Sequence, residues 1–165
     1  MFPQLVADLS HWVCLAETNP SDPDLTAVIE KYAGQFLHTH CRVGYDHGPQ
    51  VPDPRAAAWL EYMEGHERWW DAIWQAAADS GVEEITMTPE HGPPTYQVCH
   101  PATNKPLADI WDVNHWIALR RQERFKEMFG AENSSGLIAS SSQGFSPVTS
   151  PGPSVLAGLG TVSFK

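Results

Sequence analysis

The sequence predicts an α/β protein made of parallel strand–helix–strand units. Three short runs, at residues 5–7, 36–42 and 84–88, have the length and composition of buried strands. Longer segments between and after them carry apolar residues at helical spacing. Helices that alternate with short apolar strands favour right-handed parallel connections, and ligands of such sheets collect at the carboxyl ends of the strands.

The second strand carries an unusual polar face. It begins at Phe36 and gives way to a loop at residues 45–49, and His38, His40 and Arg42 are spaced by two along it. Residues at that spacing project to one face of a strand. A polar face on a strand otherwise suited to burial predicts an active-site strand with a metal ligand and an anion-binding arginine.

The first and third strands bring further polar residues to the same edge. Residues 5–12 are interpreted as a buried strand whose C-terminal end carries Asp8 and His11. The third strand, residues 84–88, leads into a loop over 89–94 that contains Glu90. The five remaining histidines are interpreted as loop or surface residues: His47, His66, His91, His100 and His115.

Three helices follow from start and stop signals. Asp22-Pro23 and Asp53-Pro54 each place an N-cap before a proline at the first helical position. They predict helices over 23–33 and 54–80, and Pro106 begins a third, over 106–128. The second helix is predicted to be a core element because of its apolar stripe, which comprises Trp59, Met63, Trp70, Ile73, Trp74 and Ala77.

Composition bounds the class of protein. The 165 residues carry a formal net charge of -10, which argues against nucleic acid as a partner because phosphate binding needs a basic surface. Three cysteines without metal-binding spacing, no apolar run of membrane-spanning length and no secretory signal predict a cytoplasmic protein with no membrane partner. Residues 1–130 are predicted to form the folded domain, and the Ser/Gly/Pro-rich segment 131–165 a disordered tail.

Three segments carry a family resemblance. At Asp8-Leu9-Ser10-His11-Trp12, His38-Thr39-His40-Cys41-Arg42 and Thr88-Pro89-Glu90 the chain resembles the xylose isomerase-like TIM barrels. That superfamily includes sugar-phosphate isomerases/epimerases, ketose 3-epimerases, inosose dehydratases and endonuclease IV. The strings Arg42–Tyr45, Gly48–Val51, Asp53–Arg55 and Gly92-Pro93 resemble one sugar phosphate isomerase/epimerase subgroup. The resemblance covers about residues 1–129.

The resemblance implies a site and a fold. Asp8, His40 and Glu90 match three of the four ligands of a divalent metal, with Glu90 also a catalytic acid/base, and the donor set suits Mn²⁺, Mg²⁺, Co²⁺ or Zn²⁺. His11, Arg42 and His38 are the expected substrate-binding residues. The fourth ligand, a glutamate, belongs to a strand before Asp8, which only seven residues precede. A (β/α)₈ barrel takes about 250 residues, so the chain is expected to supply the last three βα units, with another chain completing the barrel or the chain being a truncated gene product.

Simpler roles stay open for each of these residues. Asp8 could cap a helix or turn, His11 could bond a backbone carbonyl, and His38 could be a packed histidine. Arg42 could pair only with Asp46 or Glu90, and Glu90 could be a solvated loop acid.

The implied activity is isomerisation or epimerisation of a sugar or sugar phosphate, incomplete in the isolated chain. The alternatives are a catalytically inactive barrel remnant that acts as an interaction module or has no function, and a metal-dependent hydrolase of the endonuclease IV type. The acidic balance disfavours the hydrolase.

Overall fold

A computed structural model describes residues 4–130 and, for their backbone, residues 160–163. Short 3₁₀ turns occupy residues 33–35 and 57–59. The strands and helices, in chain order, are β1 (Leu5–Ala7), α1 (Leu9–Ala16), α2 (Pro23–Tyr32), β2 (Phe36–Cys41), α3 (Leu60–Asp79), β3 (Glu84–Pro89), α4 (Ile110–Phe129) and β4 (Gly160–Ser163).

The strands form one four-stranded sheet in the order β1-β2-β3-β4. β1, β2 and β3 are parallel, with Ala7 beside Thr39 and His40 beside Thr88, which confirms the α/β prediction with parallel connections. The sheet is open, and no barrel closes among the residues that the structure describes. β4 pairs antiparallel with β3, on the edge that a continuing barrel would fill with a parallel strand.

β4 lies within the segment predicted to be a disordered tail. Most of that segment, 131–165, lies outside the described residues, and 160–163 form a strand. β3 leaves backbone donors and acceptors unpaired on its outer edge, and a short segment containing β-branched residues can satisfy them there. The low charge and the lack of periodicity of this segment could not predict the strand, because neither property depends on whether the edge of β3 is free to pair.

The first strand is shorter than predicted. The prediction of a strand over residues 5–12 is wrong beyond Ala7, because α1 begins at Leu9. Leu9 and Val13, four residues apart, are both fully buried, as expected for an apolar stripe on one face of a helix. Asp8 thereby becomes the last residue before a helix.

Only one of the helix start signals works as predicted. The Asp22 side chain accepts a hydrogen bond from the Leu25 amide at 2.8 Å, and α2 begins at Pro23. Asp53 instead binds its own neighbour Arg55 through both carboxylate oxygens, and α3 begins six residues after Pro54. α4 begins at Ile110, capped by Asp109, and not at Pro106.

The helices pack against one face of the sheet and leave the other partly open. Thr39, Cys41 and Met87 are fully buried on the helix side, whereas Val6 on the opposite face is 56% exposed. Parallel sheets usually have both faces covered, so this open face is a departure from the rule. The predicted core role of α3 is confirmed by its fully or almost fully buried residues, which include Met63, Trp69, Trp70, Ile73, Trp74 and Ala77.

Two histidines assigned to loops or surface are buried instead. His66 is 0% and His91 3% exposed. His66 lies on the inner side of α3, where its Nδ1 is 2.9 Å from the Tyr62 carbonyl and its Nε2 accepts from the Gly44 amide. Local hydrogen bonding to the preceding turn of its helix makes a histidine tolerable in the core.

None of the helices in the described part of the chain is both long and apolar enough to cross a lipid bilayer.

Candidate metal centre

Three side chains predicted as metal ligands meet at the carboxyl edge of the parallel sheet. Asp8 directly follows β1, His40 lies near the end of β2, and Glu90 directly follows β3. The register aligns Ala7 with Thr39 and Cys41 with Pro89. The residues that follow Ala7, Thr39 and Pro89 are Asp8, His40 and Glu90, and they therefore project to the same face of the sheet. Parallel alignment therefore brings together residues that lie up to 82 positions apart in the chain.

The ligand atoms of these residues converge. One atom from each of Asp8, His40 and Glu90 lies within 4.8 Å of the other two. His40 Nδ1 is 2.7 Å from Glu90 Oε2 and 3.7 Å from Asp8 Oδ2. Neither His40 Nδ1 nor Glu90 Oε2 makes a hydrogen bond of acceptable geometry although both atoms are buried, so their 2.7 Å contact is an ion pair. A bound ion or water is one explanation for buried polar atoms without a hydrogen-bond partner.

The charges at this edge are strongly coupled. Burial alone would raise the pKa of Asp8, but His40, the Ser10 hydroxyl and the Arg42 guanidinium together lower that pKa to about 2. The carboxylates of Asp8 and Glu90 raise the pKa of His40 to about 9. Asp8 is thus ionised and His40 protonated at neutral pH, and a metal ion would have to displace the imidazole proton.

Arg42 fixes the position of the Asp8 carboxylate. It is only 3% exposed, its Nη2 donates to Asp8 Oδ2 at 2.7 Å, and its Nε donates to Ser10 Oγ at 3.0 Å. Ser10 in turn donates to Asp8 Oδ1 at 2.6 Å, so both carboxylate oxygens have a fixed donor. The sequence left Asp46 and Glu90 open as partners of Arg42: Glu90 Oε2 lies 4.0 Å from Arg42 Nη2, and no ion pair with Asp46 occurs among the described residues. The arginine predicted to bind a substrate anion therefore has Asp8 as its main partner.

A glycine allows this arrangement. A Cβ atom on Gly44 would lie 2.6 Å from the Ser10 carbonyl oxygen, well inside van der Waals contact. The chain leaving β2 can therefore press against the first turn of α1, which carries Ser10. Neither Ser10 nor Gly44 was singled out from the sequence as a supporting residue, because only the packing of α1 on the end of β2 gives them that role.

The two other predicted substrate residues border the cluster. The His11 side chain is 52% exposed, with its Nε2 2.8 Å from Arg42 Nη2 and 3.4 Å from Asp8 Oδ2. Because arginine only donates, His11 Nε2 accepts here and the proton of a neutral ring sits on Nδ1. His38 lies 5.0 Å from the His40 ring, and its pKa is lowered by burial and then by the charge of His40.

His38 is also fixed by the neighbouring strand. Its Nδ1 is 2.6 Å from Thr86 Oγ1 and its Nε2 is 3.3 Å from Thr88 Oγ1. Thr86 and Thr88, spaced by two on β3, thus contact both nitrogens of the His38 ring. These contacts can be predicted from the sequence only when the register between β2 and β3 is known. His91 is a further residue that the sequence did not single out: it is buried, neither ring nitrogen has a hydrogen-bond partner, and burial lowers its pKa to about 3.

No protein-family model, curated protein or solved structure matches the chain. Its function is therefore inferred from the chemistry that Asp8, His40 and Glu90 can perform where the strands place them.

Proposed function

We propose that Asp8, His40 and Glu90 bind one divalent metal ion, and that the chain is part of a metal-dependent sugar or sugar-phosphate isomerase/epimerase. One observation carries the metal proposal. Ligand atoms from three separate strand ends lie within 4.8 Å of one another, and two of them lack a hydrogen-bond partner although they are buried. The reaction class rests in addition on the resemblance of the surrounding motifs to the xylose isomerase-like superfamily.

The donor set fits the proposed ion. Two carboxylates and one imidazole suit Mn²⁺, Mg²⁺, Co²⁺ or Zn²⁺, and thiolates, which would favour softer metals, do not take part. The ligands keep 20 to 33% of their side-chain surface exposed, which leaves room for a substrate oxygen or water. A divalent ion held there supplies Lewis-acid polarisation of a substrate carbonyl or hydroxyl.

The protein's own residues supply position and proton transfer. Arg42 and Ser10 hold the Asp8 carboxylate through both oxygens, so its geometry is set before any ligand arrives. Glu90 is the acid/base candidate within reach of the open face, and His11 can offer its Nδ1 to a hydroxyl of a bound sugar. Both ring nitrogens of His38 already contact Thr86 and Thr88, so a substrate would meet this ring through its edge or face. A proton transfer between adjacent carbons needs a second acid/base group, which a strand paired beyond β1 would supply.

The partial-barrel reading belongs to the same proposal. β1, β2 and β3 provide three parallel strands with their functional residues at one edge, as in the last three units of a (β/α)₈ barrel. Within the described residues β1 pairs only with β2 and leaves its other edge free. Another chain or segment that pairs with the free edge of β1 would extend the sheet on the side where the fourth ligand is expected. For a barrel to close, β4 would have to leave the edge of β3.

The free edge of β1 favours one alternative function. Leu5 and Val6 on that strand are 40% and 56% exposed, and an edge strand with exposed apolar side chains is suited to pairing with another protein. An inactive barrel remnant that serves as an interaction module would use this edge and would need no metal.

Metal binding is tested by thermal unfolding with and without Mn²⁺. A bound ion stabilises the native state by about 2.7 kcal/mol when its concentration is a hundred times the dissociation constant, so the midpoint should rise. His40→Gln should abolish this rise. His115→Gln, which changes an exposed histidine on α4, should leave it intact. An equal rise in both variants would show that Mn²⁺ binds elsewhere.

The reaction class is tested by solvent deuterium exchange. Aldoses, ketoses and their phosphates are incubated in D₂O with the Mn²⁺-loaded protein, and deuterium at the carbon next to the carbonyl is followed by NMR. Exchange that is lost in Glu90→Gln supports the proposed proton transfer. Metal binding without exchange on any of these sugars would contradict the isomerase proposal and favour the inactive remnant.

A further inference from the structure

The loop that carries Glu90 is held by two side-chain amides from distant parts of the chain. Asn114, on α4, accepts from the His91 amide at 2.7 Å and donates to the His91 carbonyl at 2.9 Å. Gln50 accepts from the Gly92 amide at 2.7 Å and donates to the Gly92 carbonyl at 3.1 Å. Each amide thus engages both backbone groups of one residue, as a neighbouring strand would.

These contacts begin where the sheet ends. The ladder between β2 and β3 stops at the pair Cys41 and Pro89, so the backbone of His91 and Gly92 has no strand partner. Buried backbone groups without partners are costly, and the two amides satisfy them. Gln50 is itself only 5% exposed. The residues immediately after Glu90 are therefore held from two sides, by the loop after β2 and by the first turns of α4.

The loop that Gln50 holds is also connected, through Tyr96 and Arg42, to the Asp8 side of the cluster. A Cβ atom on Gly92 would lie 3.2 Å from the Tyr96 ring, so the loop packs closely there. The Tyr96 ring lies 4.8 Å from the Arg42 guanidinium, and Arg42 holds Asp8. The loop that Gln50 fixes therefore carries Glu90 and, through Tyr96, also contacts the arginine that holds Asp8.

We infer that Gln50 and Asn114 are positioning residues that hold the Glu90 carboxylate against His40. Glu90 comes one residue before His91, so a change in the backbone at His91 and Gly92 moves its side chain directly. The inference extends the proposed function, because the ligand role of Glu90 rests on it. Gln50 and Asn114 touch neither the ligand atoms nor a substrate, and they act through the loop.

Gln50→Met and Asn114→Leu remove the amides at nearly constant side-chain volume. Loss of groups that orient metal ligands typically weakens binding roughly 10- to 100-fold, so each variant should bind Mn²⁺ weaker by that factor. Asn114→Asp keeps the acceptor for the His91 amide and should recover part of the loss. Gln97→Met is the matched control, since it removes a side-chain amide that donates only to the Ala108 carbonyl in the same loop region.

A spectroscopic readout separates positioning from a general structural role. Co²⁺ is bound to saturation, and its visible absorption reports the geometry of its ligands. Gln50→Met and Asn114→Leu should shift these bands, and Gln97→Met should reproduce the wild-type spectrum. Unchanged affinity, or weakened affinity with an unchanged spectrum, would overturn the inference.

Amide hydrogen exchange distinguishes failure of this inference from failure of the proposed function. The His91 and Gly92 amides should be protected in the native protein and should exchange faster in the variants that lack their acceptors. If the wild-type protein binds neither Mn²⁺ nor Co²⁺, the metal proposal is wrong. Faster exchange confined to the backbone amides of His91 and Gly92 would still support the positioning role of Gln50 and Asn114. Unchanged exchange in Gln50→Met and Asn114→Leu would exclude that role.

Discussion

Two clusters of charged side chains in this protein have similar composition and opposite character. At the sheet edge, Asp8 and Glu90 lie beside His40 and Arg42. Between α3 and α4, Glu67 and Asp71 lie beside Arg121. Both clusters combine two carboxylates with a buried arginine. They differ in the other basic groups, because only the sheet-edge cluster contains a histidine.

In the helix cluster both carboxylates are bound by guanidinium groups, although Arg121 Nε is buried without a hydrogen-bond partner. Arg121 is 0% exposed, donates to both acids, and stacks against the rings of Trp74 and Trp70 at 4.4 and 5.5 Å. Exposed arginines complete the set: Arg120 binds Glu67 through two nitrogens, and Arg124 binds Asp71. A guanidinium stays charged at every physiological pH, so this cluster has no proton to exchange for a metal ion.

The sheet-edge cluster is open. His40 is an imidazole that can lose its proton and become a ligand, and neither its Nδ1 nor Glu90 Oε2 has a hydrogen-bond partner. The comparison indicates that carboxylates matched only by guanidinium groups hold helices together, whereas a cluster that also contains a histidine at a partly exposed edge can accept an external cation. Three experiments test this difference.

Arg121→Met should give the largest loss of stability. It leaves Glu67 and Asp71 without their buried partner, and breaking a buried ion pair from one side costs about 3–5 kcal/mol. Urea denaturation measures the change in the free energy of unfolding. Arg124→Met, which removes a half-exposed partner of Asp71, should cost no more than about 1 kcal/mol. Equal effects of the two variants would show that the helix cluster is not a buried structural unit.

Acid should destabilise the protein through His66, which is fully buried on α3. Burial lowers the pKa of His66 to about 4, below the unfolded value of about 6.5, so the unfolded chain binds the proton more readily. The corresponding stability is present above pH 6.5 and is lost as the pH falls towards 4, by about 3 kcal/mol at most.

His66→Gln should flatten that pH dependence. The free energy of unfolding of the variant, measured by urea denaturation at intervals between pH 7 and 4, should fall less steeply than that of the wild-type protein. A slope identical to the wild-type slope would assign the acid sensitivity to other groups.

His40→Gln should have the smallest effect on stability. The side chain of His40 is 29% exposed, so solvent screens its ion pairs, and the loss should stay under about 1 kcal/mol at neutral pH. The same variant should remove the stabilisation by Mn²⁺. A loss as large as that of Arg121→Met would indicate that the sheet-edge cluster is structural as well.

Some features followed from local sequence alone. The alternation of apolar runs with helical stripes predicted the three parallel strands, and Asp22-Pro23 marked the start of α2. Asp53-Pro54 carries the same signal and fails, because the Asp53 carboxylate binds Arg55 and is not free to cap a helix. A local motif predicts structure only where no nearby side chain competes for the same group.

The candidate site was predictable to a smaller extent. Spacing by two placed His38 and His40 on one face of a strand, and the resemblance singled out Asp8 and Glu90. The role of Arg42 was not predictable, because its distance from Asp8 depends on how β1 and β2 align. The Gln50 and Asn114 contacts join residues 42 and 23 positions apart, and no pattern along the chain connects them.

The sequence by itself determined which residue types stand at the strand ends and which helix faces are apolar, because both follow from the order of residues and the period of each element. Only the tertiary structure decided which carboxylates meet arginines alone and which also meet a histidine that an external ion could replace as their partner. Distances between atoms on different strands set that outcome, and they depend on register, on the close approach at Gly44 and on the burial of Arg42.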